Sequence, residues 1–328
     1  MSFFSHQHRF LKYLAQAVLM LCLCMANLAH AYTGVTIVMA TQTPANLEFV
    51  DDFRTELINT KNNSLRVKVV MLDASEKFTV AENSELVIAL GVKALEATSM
   101  LKHTTPVLGV FTPLPVFNQV LEKSKRELGN FSAIVLDQPY WRQLALIKAV
   151  LPETKKVGVL LGPASSQYLE VLREEADELG LSLMDETVSQ EADLIPKLKK
   201  LLDSSDALLA IPDRLIYSRE SAESILLTSY RHQKPMFGYS QSYVKAGALA
   251  SVYSSTKQLA KQAAEIAVRS QAAPSQLPAP QIPKYFSVTL NLQVAHSLNI
   301  AVTDEDAIYK KMQINEATEA MDNDEKKH

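Results

Sequence analysis

Cysteine, glycine and surplus positive charge are what this sequence has least of. Its 328 residues hold two cysteines, Cys22 and Cys24, both inside an apolar N-terminal stretch. Beyond residue 31 there is none, which excludes disulfides, cysteine nucleophiles and cysteine metal ligands from the rest of the chain. Nine glycines leave little material for a phosphate-cradling loop, and no G-x-G-x-x-G, P-loop or G-x-S-x-G motif occurs. The formal charge is −3, from 33 basic and 36 acidic residues, with no basic stripe, so a nucleic-acid partner is not expected. His103, His232, His296 and His328 include no pair three or four residues apart, so neither a metal site nor a cofactor is expected. Paired carboxylates at Asp51-Asp52, Glu174-Glu175 and Asp304-Glu305-Asp306 fall on helix faces or in the tail and read as solvated surface.

What is there is an ordinary globular mixture, 47% hydrophobic and 21% charged. At about 100–200 residues per domain, the length suits two domains with real cores. The N-terminus reads as an export signal. Arg9 and Lys12 supply a positive start, Tyr13 to Leu28 are almost continuously apolar, and Ala29-His30-Ala31 places small residues where a signal peptidase cuts. The apolar run is shorter than the roughly 20 residues a transmembrane helix needs. Leu21 and Leu23 precede the two cysteines and are too large for lipoprotein processing. Cleavage after Ala31 removes two basic and no acidic residues, leaving 31 basic and 36 acidic, a net −5. An exported, cysteine-free, mildly acidic chain fits a bacterial periplasm.

From residue 34 onward, β-branched runs alternate with helix-period segments, the pattern of parallel α/β architecture. Strands are expected at Val35–Ala40, Val67–Leu72, Leu86–Leu90, Val107–Phe111, Ser132–Leu136, Val157–Leu161, Leu181–Met184, Ala207–Ile211, Met236–Tyr239 and Ala248–Tyr253. Most are apolar on both faces, as a sheet covered by helices on both sides requires. Thr43-Pro44 caps and opens a helix carrying Val50, Phe53 and Leu57. Ser165 or Ser166 is expected to cap the helix with Leu169, Leu172, Ala176 and Leu179, which Gly180 ends. Asp137 or Gln138 precedes Pro139 at the start of another, holding Leu144, Ile147 and Leu151. Residues 34–111 and 156–239 each supply four strand–helix units, hence two α/β lobes. A Pro-rich linker spans residues 273–283, Val288 to Asn291 resumes order, and the tail from Thr303, with eight acidic and four basic residues, is expected to fray.

Ligands of open α/β sheets bind outside the carboxyl ends of the strands. The loops there are Thr41-Gln42-Thr43, Gly91-Val92, Thr112-Pro113, Gly162 to Ser166, Pro212-Asp213-Arg214 and Tyr239-Ser240. They combine hydroxyls with helix N-termini, which suit small polar or anionic groups, although Ser and Thr at such places also serve simply as caps.

Several segments in order carry a family resemblance. They are Leu90-Gly91 before an alanine-containing helix; Thr105-Pro106-Val107 leading to Phe111-Thr112-Pro113; Leu151-Pro152-Glu153-Thr154 through Val157-Gly158-Val159; Lys234-Pro235-Met236-Phe237; Ala246-Gly247-Ala248-Leu249-Ala250-Ser251; and Leu290-Asn291 through Leu298-Asn299-Ile300. In these the chain resembles the ABC-transporter substrate-binding proteins, whose members include tryptophan- and tyrosine-linked binding proteins, from about Val35 to Ile300. It departs from the family at Thr112-Pro113 (often Asp-Pro), at Asn130-Phe131-Ser132-Ala133 (often Asn-x-Thr-Gly) and at Val92 after Gly91 (often Ser or Thr). These departures fall in the ligand loops.

The resemblance implies a type I periplasmic-binding-protein fold: two doubly wound parallel-sheet lobes with hinge crossovers and a cleft between them. The expected division is a signal peptide at 1–31, a first lobe of 32–136 plus 240–272, a second of 137–239 plus 284–302, and a flexible acidic tail at 303–328. Crossovers are expected near Ser132–Gln138, near Ser240–Gly247 and in the Pro-rich segment. The expected ligand residues are Thr41, Thr43, Gly91 and Thr112 from the first lobe and Ser165, Ser166, Asp213 and Tyr239 from the second. Hydroxyls and N–H groups would take a carboxylate, Asp213 an ammonium or only the cap of the next helix, and Phe111 and Tyr239 an apolar part. Trp141 reads as partly buried. The expected role is that of a monomer capturing a small organic molecule, an amino acid or relative, for a membrane permease. A membrane sensor as partner is the alternative, and an exported hydrolase on the same scaffold the other class; the missing nucleophile–base pair argues against the latter.

Overall fold

Two parallel sheets, joined three times, organise the chain in a computed structural model that describes residues 34–60, 65–72, 84–272, 276–302 and 304–313. The expected export signal and its cleavage point lie outside the described residues. The first sheet has the order β2-β1-β3-β4-β5, built from Gly34–Met39 (β1), Arg66–Met71 (β2), Leu86–Leu90 (β3), Val107–Thr112 (β4) and Phe131–Val135 (β5). The second runs β11-β10-β9-β8-β6-β7, from Lys156–Leu161 (β6), Ser182–Thr187 (β7), Ala207–Leu209 (β8), Met236–Gly238 (β9), Ala250–Tyr253 (β10) and Ser287–Leu290 (β11). Every pairing is parallel except β10 with β11, where Ala250 faces Leu290.

Helices cover both faces of each sheet, and the strand period of two assigns side chains to one face or the other. In the first lobe Ile37, Ile88, Leu108 and Ile134 pack against Pro44–Asn59 (α1) and Thr256–Ala272. Their neighbours Val38, Val87, Val107 and Ala133 bury on the opposite face with Ala94, Leu95 and Phe117. The second lobe repeats this: Val157, Val159 and Leu209 join one core, Leu160, Leu208 and Ala210 the other. β2 is the exception, an edge strand whose Arg66 and Lys68 alternate with half-buried valines.

Local signals act where the chemistry is local. Thr43 caps α1, its Oγ1 accepting from Asn46 N at 3.2 Å with Pro44 at the first position. Gly180 (φ +64°) follows the helix Leu169–Glu178. Its N–H donates to Asp177 O and that of Leu181 to Ala176 O, the paired bonds of a Schellman end.

Three expectations are corrected. Residues 240–253 do not return to the first lobe: Ala250 pairs with Phe237 and Ser251 with Gly238, so β10 extends the second sheet. The return crossover is therefore at 254–255, not within Ser240–Gly247, and only the helix Thr256–Ala272 belongs to the first lobe. The described part of the Pro-rich segment is no free linker. Leu277 buries in the first lobe's core, and Gln281 bridges Ile134 at the sheet edge. The start of the tail is docked: residues 305–313 are helical, with Ile308 and Met312 buried in the second lobe and Tyr309 edge-on to Phe286. Residues 314–328 lie outside the described residues.

Candidate functional site

The chain leaves β5 for the second lobe at its carboxyl end, and leaves β10 for the first lobe at its carboxyl end as well. The carboxyl edges of both sheets therefore border the hinge. Extensive packing stays within each lobe, and side chains sew the three crossovers together. Gln138 Nε2 donates to Ser254 Oγ at 2.8 Å, and Ser254 Oγ donates to Tyr285 O at 2.6 Å. Arg142 Nη1 donates to Gln138 Oε1 (2.7 Å) and Pro283 O (3.0 Å), its guanidinium carbon 5.1 Å from the Trp141 ring centroid and 4.4 Å from that of Phe286. One residue from each crossover thus shares a single hydrogen-bonded relay.

On the first lobe, Thr41 and Thr43 are exposed in one loop, but both serve α1: Thr41 O accepts from Asn46 Nδ2 (2.8 Å) and Thr43 is the cap. Gly91 (φ +83°) is half-buried, and its N–H is already donated to Val110 O at 2.8 Å. Thr112 is fully buried, and its Oγ1 has no partner among the described residues. Beside it Phe111 takes φ +60°, a left-handed conformation that costs about 1–3 kcal/mol for such a side chain. The ladder to β5 slips between Val110 and Thr112 at this point. The half-buried Phe111 ring meets Phe49 edge-on at 5.5 Å.

The second lobe's loops are tied inward. Asp213 Oδ2 accepts from Ala164 N (3.1 Å), Ser165 N (3.0 Å) and Ser165 Oγ (2.9 Å), and Oδ1 accepts from Leu215 N (2.9 Å). Asp213 is 6% exposed and Ser165 wholly buried. A Cβ on Gly162 would lie 2.6 Å from Asp213 Oδ2, so glycine is what lets the two loops close on each other. Asp213 thus spends its acceptor capacity on protein donors. It caps no helix either, since Ser218 caps Arg219–Arg231 through a reciprocal box with Ser221. Ser165 precedes the single 3-10 turn Ser166–Tyr168, but its side chain makes no capping bond there or to the helix Leu169–Glu178; its neighbour Ser166 is exposed. Tyr239 packs with Tyr217 and Tyr243, and the three line a groove of about 790 Å³ between the helices Arg219–Arg231 and Gln241–Ala246. Burial raises all three phenols.

Of the expected residues the structure joins Ser165 directly to Asp213; Thr41 and Thr43 share one loop, Ser166 follows Ser165, and Gly91, Thr112 and Tyr239 stand apart from these. Sequence reasoning passed over the group where the edges meet. Asp137, on the first crossover, accepts from Leu114 N at 2.6 Å and so caps the helix Leu114–Ser124 of the first lobe. Tyr140 and Tyr168, from the second lobe, pack with ring centroids 5.7 Å apart. Burial raises the Asp137 carboxyl above its ordinary range, against the pull of the Leu114 N–H. Burial also raises both phenols, and the charge of Asp137 adds to this. Asp137-Gln138-Pro139 reads locally as the cap of its own helix, and no signal in the chain links it to a residue 23 positions earlier.

A family model described as ABC transporter substrate binding protein matches residues 49–313. No curated protein matches the sequence. The fold is similar to that of an ABC domain in complex with L-Trp from Streptococcus pneumoniae: 18% identity, 85% of this chain and 98% of that one, TM-score 0.54. It is also similar to a conserved domain protein from Vibrio cholerae, at 20% identity, 85% and 98% coverage and TM-score 0.54. The ligand-free, open structure of CD0873, a substrate binding protein with adhesive properties from Clostridium difficile, aligns at TM-score 0.66 with 16% identity over 84% of this chain and 97% of that one. Identities this low speak to the fold alone: the type I periplasmic-binding-protein arrangement of two α/β lobes. With the family model spanning both lobes, the chain belongs to the ABC transporter substrate-binding protein family.

Proposed function

We propose that this protein is exported, captures a small organic solute between its two lobes, an amino acid or a close relative, and delivers it to an ABC permease. The observation that carries this reading is the hinge. Two lobes with independent cores present their carboxyl-edge loops to three crossovers held by one relay of Gln138, Ser254 and Arg142. A few element-terminal residues of that kind absorb the backbone change when such lobes close. Tighter binding to the closed form then makes closure follow ligand.

The test is thermal unfolding of the purified protein against a metabolite panel rich in amino acids. A ligand at 100 times its dissociation constant adds about 2.7 kcal/mol. At roughly 2–4 °C per kcal/mol, the unfolding midpoint rises by roughly 5–10 °C. A well-folded protein that no compound shifts would sink the reading.

A further inference from the structure

Three partly buried acidic side chains are held by a cation. Glu265 meets Lys284 at 3.0 Å, Asp185 meets Arg173 at 2.9 Å and Glu186 meets Lys200 at 2.5 Å. Asp213 instead takes four protein donors. Asp137 differs from both groups. Only backbone N–H groups, that of Leu114 and its own, reach its carboxylate, and among the described residues no cationic side chain stands within ion-pair distance. A carboxylate offers about four lone-pair sites, so most of its acceptor capacity is left over.

Its surroundings are apolar and open. Leu114, whose N–H it accepts, is 38% exposed, and Leu136, next to it in the chain, is 43% exposed. The rings of Tyr140 and Tyr168, tilted 53° to each other, stand on the second-lobe side, both partly exposed. An unpaired anion half-sunk among apolar groups is costly and is relieved when a cation of matching charge arrives. Aromatic faces also attract cations directly. Leu114 belongs to the first lobe, Asp137 to the crossover and Tyr168 to the second lobe, so one bound group would touch all three moving parts. Glu85, the other described carboxylate that burial raises, is at the amino end of β3, on the edge away from the hinge.

We propose that Asp137 is the anchor for an ammonium group on the captured solute, with Leu114, Leu136, Tyr140 and Tyr168 receiving the apolar body attached to it. This rests on the solute-binding reading above and names the chemical class: an organic ammonium carrying an aliphatic or aromatic body, whether or not it also bears a carboxylate. Asp213 holds the loops and contributes no charge to the ligand.

The experiment is isothermal titration of the intact protein with matched triplets. These are L-tryptophan, tryptamine and indole-3-propionate; L-phenylalanine, phenethylamine and 3-phenylpropionate; and L-leucine, 3-methylbutylamine and 4-methylpentanoate. Ammonium-bearing members are expected to bind and the carboxylate-only members not to. Asp137→Asn keeps an acceptor for Leu114 N, so it is expected to leave the unfolding temperature nearly unchanged while weakening ammonium binding about tenfold or more. Three results would overturn the inference while leaving the solute-binding reading intact: equal binding of carboxylate-only members, undiminished ammonium binding by Asp137→Asn, or equal weakening of every probe by that variant. If the unmodified protein binds no member of any triplet, this inference fails, and the solute-binding reading then stands or falls with the metabolite panel.

Discussion

Asp213 and Asp137 both follow strands at the carboxyl edges of their sheets, yet their surroundings are opposite. The first sits 6% exposed in a knot of four donors from two loops of one lobe. The second stands half-open between lobes, with backbone N–H groups as its only partners among the described residues. A carboxylate with its lone pairs filled by backbone and hydroxyl donors is scaffold. One with capacity left over beside exposed apolar side chains is positioned to meet something else. The same contrast runs through the loops around them. The second lobe's 162–165 and 213–215 segments are closed on each other, whereas the first lobe's edge carries a left-handed Phe111, a slipped register and a buried hydroxyl with no partner among the described residues.

Three substitutions break or sharpen this contrast. Asp213→Ala strands the N–H groups of Ala164 and Leu215 and leaves Ser165 N and Oγ only their longer bonds to Gly162 O, at 3.2 and 3.5 Å. At about 1–3 kcal/mol for each unsatisfied buried donor, with partial relaxation, a loss of about 3–5 kcal/mol is expected in urea denaturation. A loss below about 1 kcal/mol would mean that the knot is not what holds the loops. Gly162→Ala presses a methyl against Asp213, with 2.6 Å to Oδ2. Overpacking of that kind costs about 1–3 kcal/mol, seen as a lower denaturation midpoint at unchanged slope. Thr112→Val removes a buried hydroxyl that has no partner among the described residues. Stability is then expected to stay level or rise by up to about 1 kcal/mol, since only an unpaired polar group is lost. A clear loss would show that this hydroxyl is bonded in the folded protein, and lost solute binding at unchanged stability would place it at the ligand.

Much of the fold was legible because its causes are short-range. The ten expected strands all form, most with ends within a residue or two, since runs such as Leu86–Leu90 are apolar on both faces and bounded by turn residues. The cap at Thr43 and the stop at Gly180 are likewise properties of four or five consecutive residues. Sheet membership was not legible. The run leading to Tyr253 would read the same in either lobe, and only its pairing with Met236–Gly238 assigns it. In the tail, a surplus of acidic residues hid the spacing of Ile308, Tyr309 and Met312 on one helical face, which the second lobe's core then buries or packs against.

The candidate site divides the same way. That the carboxyl-edge loops matter followed from the alternation of strands and helices. Which carboxylate is free did not, because Asp213 is filled by donors 48 and 49 positions away and Asp137 finds its helix 23 positions back. By itself the sequence determined the order of the ten expected strands, their two-sided burial and the helix ends at Thr43 and Gly180, all governed by side-chain periodicity and local hydrogen bonding. Only the tertiary structure decided where the chain crosses between lobes, which tail residues dock, and which acidic group keeps its acceptors open. Those outcomes depend on which distant donors come within 3 Å, and no local pattern of residues encodes that distance.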